Sequence, residues 1–207
     1  MYTLYYKPGA CSMAVHVILN ELGEKPKLIE AIAHNGTKDA EFLKVNPRGN
    51  VPVLVDSELV VREGAAIIIY LLDKHKSPLL PREGKERAAA LEWLMFCNAT
   101  LHPAFGRLFG ASKAFTGEMQ EKAKTLAVDN LNNLWKDVEA RLSQSPYLAG
   151  KEITAADILL TVIGNWSANF PTIHIGHATK KLFKTVISRP AYQTALTAEK
   201  IEYKAAA

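Results

Sequence analysis

The two parts of this chain carry different hydrophobic patterns. Over roughly the first 80 residues, short apolar runs typical of strands alternate with apolar positions at helical spacing, and beyond them only helical spacing recurs. The segment 78–84 between the two patterns holds two prolines and a glycine, a composition typical of linkers between domains. We therefore predict an α/β domain over residues 1–77, a linker at 78–84 and an all-α helical-bundle domain over 85–207.

The predicted elements of the first part begin as a βαβ unit and end with a hairpin and a helix. In chain order they are a strand at 3–6, a helix at 12–22, a strand at 27–30, a short helix at 41–45, strands at 51–55 and 59–62, and a helix at 64–75. In the second part, helices are predicted at 85–109, 119–143, 154–169 and 178–186, with a shorter one after Pro190.

Composition excludes several classes of function. The 25 basic and 21 acidic residues are scattered, without the basic runs that a nucleic-acid partner requires, although the net charge of +4 favours a small anionic ligand. No apolar run approaches the roughly 18 residues of a membrane span, and the N-terminus lacks the pattern of a secretory signal. Only two cysteines occur, far apart, so we expect no disulfide, no membrane partner and a cytoplasmic location.

Cys11 is the first candidate for chemistry. The segment Lys7–Ser12 connects an apolar strand to an apolar helix, which places Cys11 near the helix N-terminus. Unpaired backbone N–H groups and the helix dipole stabilise an anion there, so we expect this position to favour the thiolate. The alternative is that Cys11 is a small apolar residue that only fills space.

Two further segments carry binding signals. In Arg48–Leu54 a proline begins a strand, and a cis bond between Val51 and Pro52 would leave the backbone of Val51 free to pair with an extended peptide ligand; the alternative is an ordinary edge-strand proline. Glu63 and Gly64 run from a strand into a helix, where the backbone N–H groups hold a ligand carboxylate or where Glu63 only caps the helix.

The helical part offers one candidate and one structural motif. His102 precedes Pro103, which we expect to kink the helix and to aim the imidazole into a cleft; a lone helical histidine is otherwise a surface or core residue. Thr154 and Asp157 have the spacing of a capping box, which we interpret as structural. No histidine stands at a metal-ligand spacing from a cysteine or carboxylate, so no metal site is predicted.

Taken together, these segments resemble the bacterial beta class of the cytosolic glutathione transferases. The matching segments are Tyr5–Ser12, Asn46–Leu54, Glu63–Ile67 with Tyr70-Leu71, Glu92–Leu94, Leu101-His102 and Ile153–Asp157. Their order and separation cover nearly the whole chain. The resemblance implies a thioredoxin-like domain followed by a helical domain, assembled as a cytoplasmic homodimer that serves in detoxification.

The resemblance also implies roles for individual residues, with glutathione as co-substrate and no other cofactor. Cys11 would contact the glutathione sulfur and His102 would assist its ionisation. The other residues that it implies at the glutathione site are Tyr5, His34, Asn35, Val51, Pro52, Glu63, Gly64 and Thr100. Phe105, Leu108, Phe109 and Trp166 would line the pocket for the electrophile, and their alternative role is core packing.

The chain departs from the pattern of this class at two places. Where related enzymes often offer a lysine to the glycine carboxylate of glutathione, this chain has His34, Asn35 and, further on, Lys38. Gly64 stands where many relatives have serine, so a side-chain hydroxyl to the γ-glutamyl carboxylate is missing while the backbone donor remains.

The sequence is compatible with three functions. The first is conjugation of the glutathione thiolate to small, mainly hydrophobic electrophiles. The second is glutathione-dependent thiol or disulfide reduction, in which Cys11 forms a mixed disulfide. The third is a transferase-like protein that binds apolar ligands without catalysis.

Overall fold

The first part of the chain folds around a four-stranded mixed sheet. The computed structural model describes residues 1–32 and 37–206. The strands are β1 (Tyr2–Tyr6), β2 (Lys27–Glu30), β3 (Val53–Asp56) and β4 (Leu59–Arg62), in the order β2-β1-β3-β4. β2 is parallel to β1, and the other pairs are antiparallel. The helices are α1 (Ser12–Glu21), α2 (Ala40–Val45) and α3 (Gly64–Lys74).

The sheet buries side chains on both of its faces. Leu4 and Leu54 are partners across β1 and β3, and both are fully buried in the large core that also contains α1 and α3. Tyr5 and Val53 are the next pair along the same strands and pack with Phe42 of α2 in a separate cluster. The alternation follows from the two-residue period of a strand. Helix α1 follows β1 in the chain, and α3 follows β4, so the N-terminal end of each helix is joined to the C-terminal end of a strand.

The second part is helical, and beyond β4 the described residues form no strand. It contains α4 (Gly84–Met95), a π-helical turn (Phe96–Leu101), α5 (His102–Ala114), α6 (Gly117–Leu142), α7 (Ala155–Gly164), a 3₁₀ turn (Asn165–Asn169), α8 (His177–Ile187) and α9 (Pro190–Glu199). Every residue of α7 is buried, which makes it the central helix of this part. The predicted fold class, α/β followed by all-α, is confirmed.

Three predicted elements differ from the structure. The helix expected at 85–109 is divided into α4, a π-helical turn and α5, because Pro103 has no N–H to donate to the carbonyl of the preceding turn. The segment expected to form one helix over 154–169 is α-helical up to Gly164 and continues as the 3₁₀ turn Asn165–Asn169. The strand expected from Val51 begins at Val53, because Pro52 cannot donate to a sheet ladder. The peptide bond between Val51 and Pro52 is cis, as predicted.

The two parts share one core. Helix α1 packs against α3 of its own part and against α7 and α9 of the helical part. The large hydrophobic cluster accordingly runs from the sheet into the helices without interruption. Among the described residues, no helix is both long enough and apolar enough to cross a membrane.

Candidate functional site

A cavity of about 450 Å³ lies between the N-terminal ends of α1 and α3 and the π-helical turn. It falls within the size range of small-molecule sites. Six residues predicted for the site line it: Cys11, Val51, Pro52, Glu63, Gly64 and His102. The other lining residues are Asn46, Arg48, Gly49, Asn50, Arg62, Ile68, Asn98 and Leu159.

The loop that carries Cys11 is fixed from within and from the helical part. Inside the loop, the Ser12 hydroxyl donates to the carbonyl oxygen of Lys7 (3.2 Å) and accepts from the N–H of the same residue (3.1 Å). From the helical part, the Glu199 carboxylate accepts a hydrogen bond from the N–H of Gly9 (3.0 Å). The indole N–H of Trp166 donates to the carbonyl oxygen of Gly9 (2.8 Å). Gly9 has a φ of +67°, and a Cβ atom there would lie 3.1 Å from Ile201. Position 9 therefore favours glycine.

The Cys11 thiol lies at the start of α1 and donates a hydrogen bond to the carbonyl oxygen of Val51 (Sγ to O, 3.6 Å). Burial raises its pKa to about 11, the backbone N–H groups of Cys11 and Ser12 lower it by less, and the nearby charge of Glu63 raises it further. The expectation that this position favours the thiolate is therefore wrong. Desolvation of the charged form outweighs the helix N-terminus, and Cys11 is a neutral thiol near pH 7.

The start of α3 forms one end of the cavity. Glu63 precedes the helix with a φ of +71° and makes no capping hydrogen bond through its side chain. Its carboxylate instead pairs with Arg48 at 3.3 Å, with both side chains largely exposed. The first turn holds no acidic residue, and the first intrahelical donor is the N–H of Ile67. The earlier N–H groups of this turn therefore have no intrahelical partner, which suits a carboxylate ligand.

His102 enters the same cavity as the first residue of α5. Its imidazole is half-buried and packs edge-on against Trp166, with ring centroids 5.1 Å apart. Burial lowers the pKa of His102 below its usual value. The ring is therefore neutral near pH 7 and is able to accept a proton.

Three of the four residues predicted for the electrophile pocket, Phe105, Phe109 and Trp166, form an aromatic group beside His102, and the fourth is Leu108. Phe105 and Phe109 contact Trp166 at centroid distances of 5.6 and 5.9 Å. Phe105 and Leu108 are buried in the core (0% and 2% exposed). Both therefore have the packing role that was the alternative prediction for these residues. Phe109 is 40% exposed. None of the four lines the described cavity, and their role in binding an electrophile stays a prediction.

The remaining predicted residues lie outside the cavity. Tyr5 packs against Phe42, with ring centroids 5.3 Å apart, and Thr100 is exposed on the π-helical turn. Lys38 lies beside the lining segment and donates to the carbonyl oxygen of Arg48 (3.5 Å). His34 and Asn35 lie outside the described residues. Across residues 1–32 and 37–206, no group of three or more His, Cys, Asp or Glu side chains is arranged to hold a metal ion.

Sequence patterns did not single out several polar lining residues. Asn46 is buried and donates to the carbonyl oxygen of Asn50 (2.8 Å), which shapes the loop before Val51. Arg62 donates to the carbonyl oxygen of Val45 (2.6 Å). Asn98 lies four residues before His102, and this helical spacing was the only local signal that both side chains share a face.

The fold and this site together define a class: a thioredoxin-like domain with a thiol at its first helix, joined to a helical domain that closes the site. Residues 1–73 match the family described as glutathione S-transferase, N-terminal domain, and residues 88–190 match the glutathione S-transferase C-terminal domain. The chain is 33% identical to the glutathione S-transferase GST-4.5 of Xanthomonas campestris over 204 residues, which cover 95% of this chain and 98% of that one. The chain therefore belongs to the glutathione S-transferase family, and it is a glutathione transferase.

The chain is also similar to a disulfide-bond oxidoreductase and to solved glutathione S-transferases. The chain is 27% identical to the disulfide-bond oxidoreductase YfcG of Escherichia coli K12 over 205 residues, which cover 95% of this chain and 94% of that one. A solved glutathione S-transferase from Xylella fastidiosa superposes with a TM-score of 0.89 at 29% identity, covering 98% of this chain and all of the other. A sphingomonad glutathione S-transferase in complex with glutathione gives a TM-score of 0.81 at 31% identity and covers 97% and 100%.

Proposed function

We propose that this chain is a beta-class glutathione transferase that conjugates the glutathione thiolate to small hydrophobic electrophiles. The observation that carries the proposal is that Cys11, Val51, the start of α3 and His102 all line one cavity. These groups suit the sulfur, the backbone and the γ-glutamyl carboxylate of one extended tripeptide. The relative from a sphingomonad is described as a complex with glutathione, which further supports the choice of ligand.

The proposed mechanism follows from the protonation states of two side chains. The neutral imidazole of His102 accepts the proton of the glutathione thiol. The Cys11 thiol exchanges its hydrogen bond to the carbonyl oxygen of Val51 for one to the resulting thiolate, and the N–H groups at the start of α1 donate to the same sulfur, which lowers the free energy of the charged sulfur. The thiolate then attacks the electrophilic carbon and forms a C–S bond. In a substitution the leaving group departs with the electron pair of its bond to that carbon, and in an addition to a double bond the proton held by His102 is returned to the second carbon.

The test is conjugation of glutathione to 1-chloro-2,4-dinitrobenzene, followed by absorbance, with wild type, Cys11→Ala and His102→Ala measured together. We expect turnover by the wild type and a lower kcat/KM in both variants. His174, an exposed histidine that does not line the cavity, supplies the control variant His174→Ala. A wild type that binds glutathione and gives no turnover would contradict the proposal.

Glutathione-dependent disulfide reduction is the second candidate, favoured by the cysteine in the cavity and by the similarity to a disulfide-bond oxidoreductase. This reaction needs the Cys11 thiolate, and a pKa of about 11 opposes its formation at neutral pH. Cys11→Ser separates the two functions. A reductase would lose turnover of glutathione mixed disulfides and keep conjugation largely intact.

The proposal extends to assembly and location: a homodimer in the cytoplasm that serves in detoxification. It is supported by the resemblance of the whole chain to this class. Sedimentation equilibrium tests the assembly, with an expected mass of twice 22.8 kDa. A monomer mass across the micromolar range would contradict it.

A further inference from the structure

A polar side chain of the helical part faces the start of α3. Asn98 lines the cavity together with Gly64 and His102. A Cβ atom built on Gly64 would lie 3.6 Å from the Oδ1 atom of Asn98, so the carboxamide stands at ordinary contact distance from the first residue of α3. Asn98 therefore reaches across the boundary between the two parts of the chain.

Asn98 sits on the side of the π-helical turn that faces the cavity. Cys97 and Leu101 in this turn are buried in the core, and Ala99 and Thr100 are exposed. Asn98 is half-buried, and its side chain makes no hydrogen bond within residues 1–32 and 37–206. A half-buried carboxamide with two free donors and an acceptor is a group that a ligand is able to satisfy.

The chemistry at the start of α3 defines what that ligand group is. The unpaired N–H groups of the first turn favour an anion, and no side chain at position 64 competes for it. A carboxylate has two oxygens to satisfy, and the N–H of Gly64 is a donor for one of them because it has no intrahelical partner. The Asn98 carboxamide is neutral and rotates about its last bond, so it presents its NH₂ group to the second oxygen without adding charge.

We propose that Asn98 is a specificity-determining residue that donates a hydrogen bond to the α-carboxylate of the γ-glutamyl group of glutathione. The inference rests on the proposed function, because it takes glutathione as the ligand of this cavity. Asn98 supplies from the helical part the donor that a side chain at position 64 would otherwise supply. The carboxylate is then held by both parts of the chain.

The test compares two ligands that differ only in this carboxylate. Binding of glutathione and of γ-aminobutyryl-cysteinyl-glycine, which lacks it, is measured by titration calorimetry with wild type, Asn98→Ala and Asn98→Asp. We expect Asn98→Ala to weaken glutathione binding about 10- to 100-fold, the range for a hydrogen bond to a charged group. Asn98→Asp should weaken it further, because a second carboxylate repels the first. Neither variant should change the Kd of the shortened ligand by more than about twofold.

Ala99→Asn is the matched control, because it adds a carboxamide on the exposed side of the same turn and should leave both Kd values unchanged. Thermal unfolding verifies that each variant folds. Equal glutathione binding by Asn98→Ala and wild type would overturn the inference, and so would an equal loss for both ligands. A wild type that does not bind glutathione at all is a distinct result, which would overturn the proposed function and this inference with it.

Discussion

At the residue scale, two opposite effects act on the Cys11 thiol. The N–H groups at the start of α1 stabilise a thiolate, while burial destabilises any charge. Burial has the larger effect and raises the pKa to about 11. The position of Cys11 in the loop was predictable from its neighbours in the chain. Its protonation state was not, because the groups that exclude water from it are distant in sequence.

The raised pKa predicts slow alkylation of Cys11. A pKa of about 11, against an ordinary value of 9.0, lowers the thiolate fraction at neutral pH about 100-fold. We expect the rate with iodoacetamide to rise with pH up to about 11, as measured by mass spectrometry. Cys11→Ala should show no native-state labelling, because Cys97 is 0% exposed. A rate that levels off near pH 7 would contradict this prediction.

His102 predicts the acid side of the pH profile. Because burial lowers its pKa, the imidazole stays neutral below the usual value near 6.5 and loses its capacity to accept a proton only at lower pH. We expect kcat/KM for conjugation to fall as pH drops through this lowered pKa. In His102→Gln the fall should disappear and kcat/KM near pH 7 should drop about 10- to 100-fold. His174→Gln is the control, and an unchanged acid limb in His102→Gln would contradict the assignment.

At the element scale, the start of α7 depends on one buried carboxylate. Asp157 accepts hydrogen bonds from the N–H groups of Leu148 (2.8 Å) and Thr154 (2.7 Å) and from the hydroxyl of Thr154 (3.0 Å). The capping box predicted at Thr154 and Asp157 is confirmed. The bond to Leu148 adds a contact that the motif does not contain, and it ties the preceding loop to α7.

Replacing Asp157 by Ala should therefore cost about 3 kcal/mol or more of the free energy of unfolding, because two buried N–H groups lose their acceptor. Urea unfolding measures the loss. Thr116→Ala is the matched control, since Thr116 precedes α6, is exposed and makes no capping hydrogen bond through its side chain. It should cost less than about 0.5 kcal/mol. Equal losses in the two variants would contradict the structural role of Asp157.

The π-helical turn shows the limit of prediction for a single element. Helical periodicity predicted one helix over 85–109, and Pro103 predicted a kink within it. Helical spacing alone does not specify that the irregularity takes the form of a wider turn at Phe96–Leu101. That form depends on packing, because Cys97 and Leu101 are both buried in the core that the two parts share.

At the scale of the whole molecule, Glu199 connects the end of α9 to the first part of the chain. Its two carboxylate oxygens accept from the N–H of Gly9 (3.0 Å) and pair with Nδ1 of His16 (2.9 Å), and both side chains of the pair are buried. Arg189 adds a second connection through two bonds to Glu21 (2.6 and 2.7 Å). These contacts, with the shared core, predict that the two parts unfold together.

Replacing Glu199 by Ala leaves His16 and the N–H of Gly9 without their buried partner, and we expect a loss of about 3 kcal/mol or more. Glu202→Ala is the control: its carboxylate is 77% exposed and pairs with Lys204 at the surface, so the variant should lose less than about 1 kcal/mol. In both variants, unfolding followed by far-UV circular dichroism and by tryptophan fluorescence should give one coincident transition. All three tryptophans lie in the helical part, so fluorescence reports on that part while circular dichroism reports on the whole chain. Separate transitions would contradict joint unfolding.

Local patterns were sufficient for the order of strands and helices, the change from α/β to all-α structure, the loop position of Cys11 and the capping box of α7. Each depends on backbone preferences and side-chain periods within a few residues, which are visible along the chain. The neutral state of Cys11, the approach of Asn98 to Gly64 and the contact of Glu199 with Gly9 follow from packing between segments far apart in sequence. Burial and distance across such segments exist only once the sheet and the helices have closed on one core.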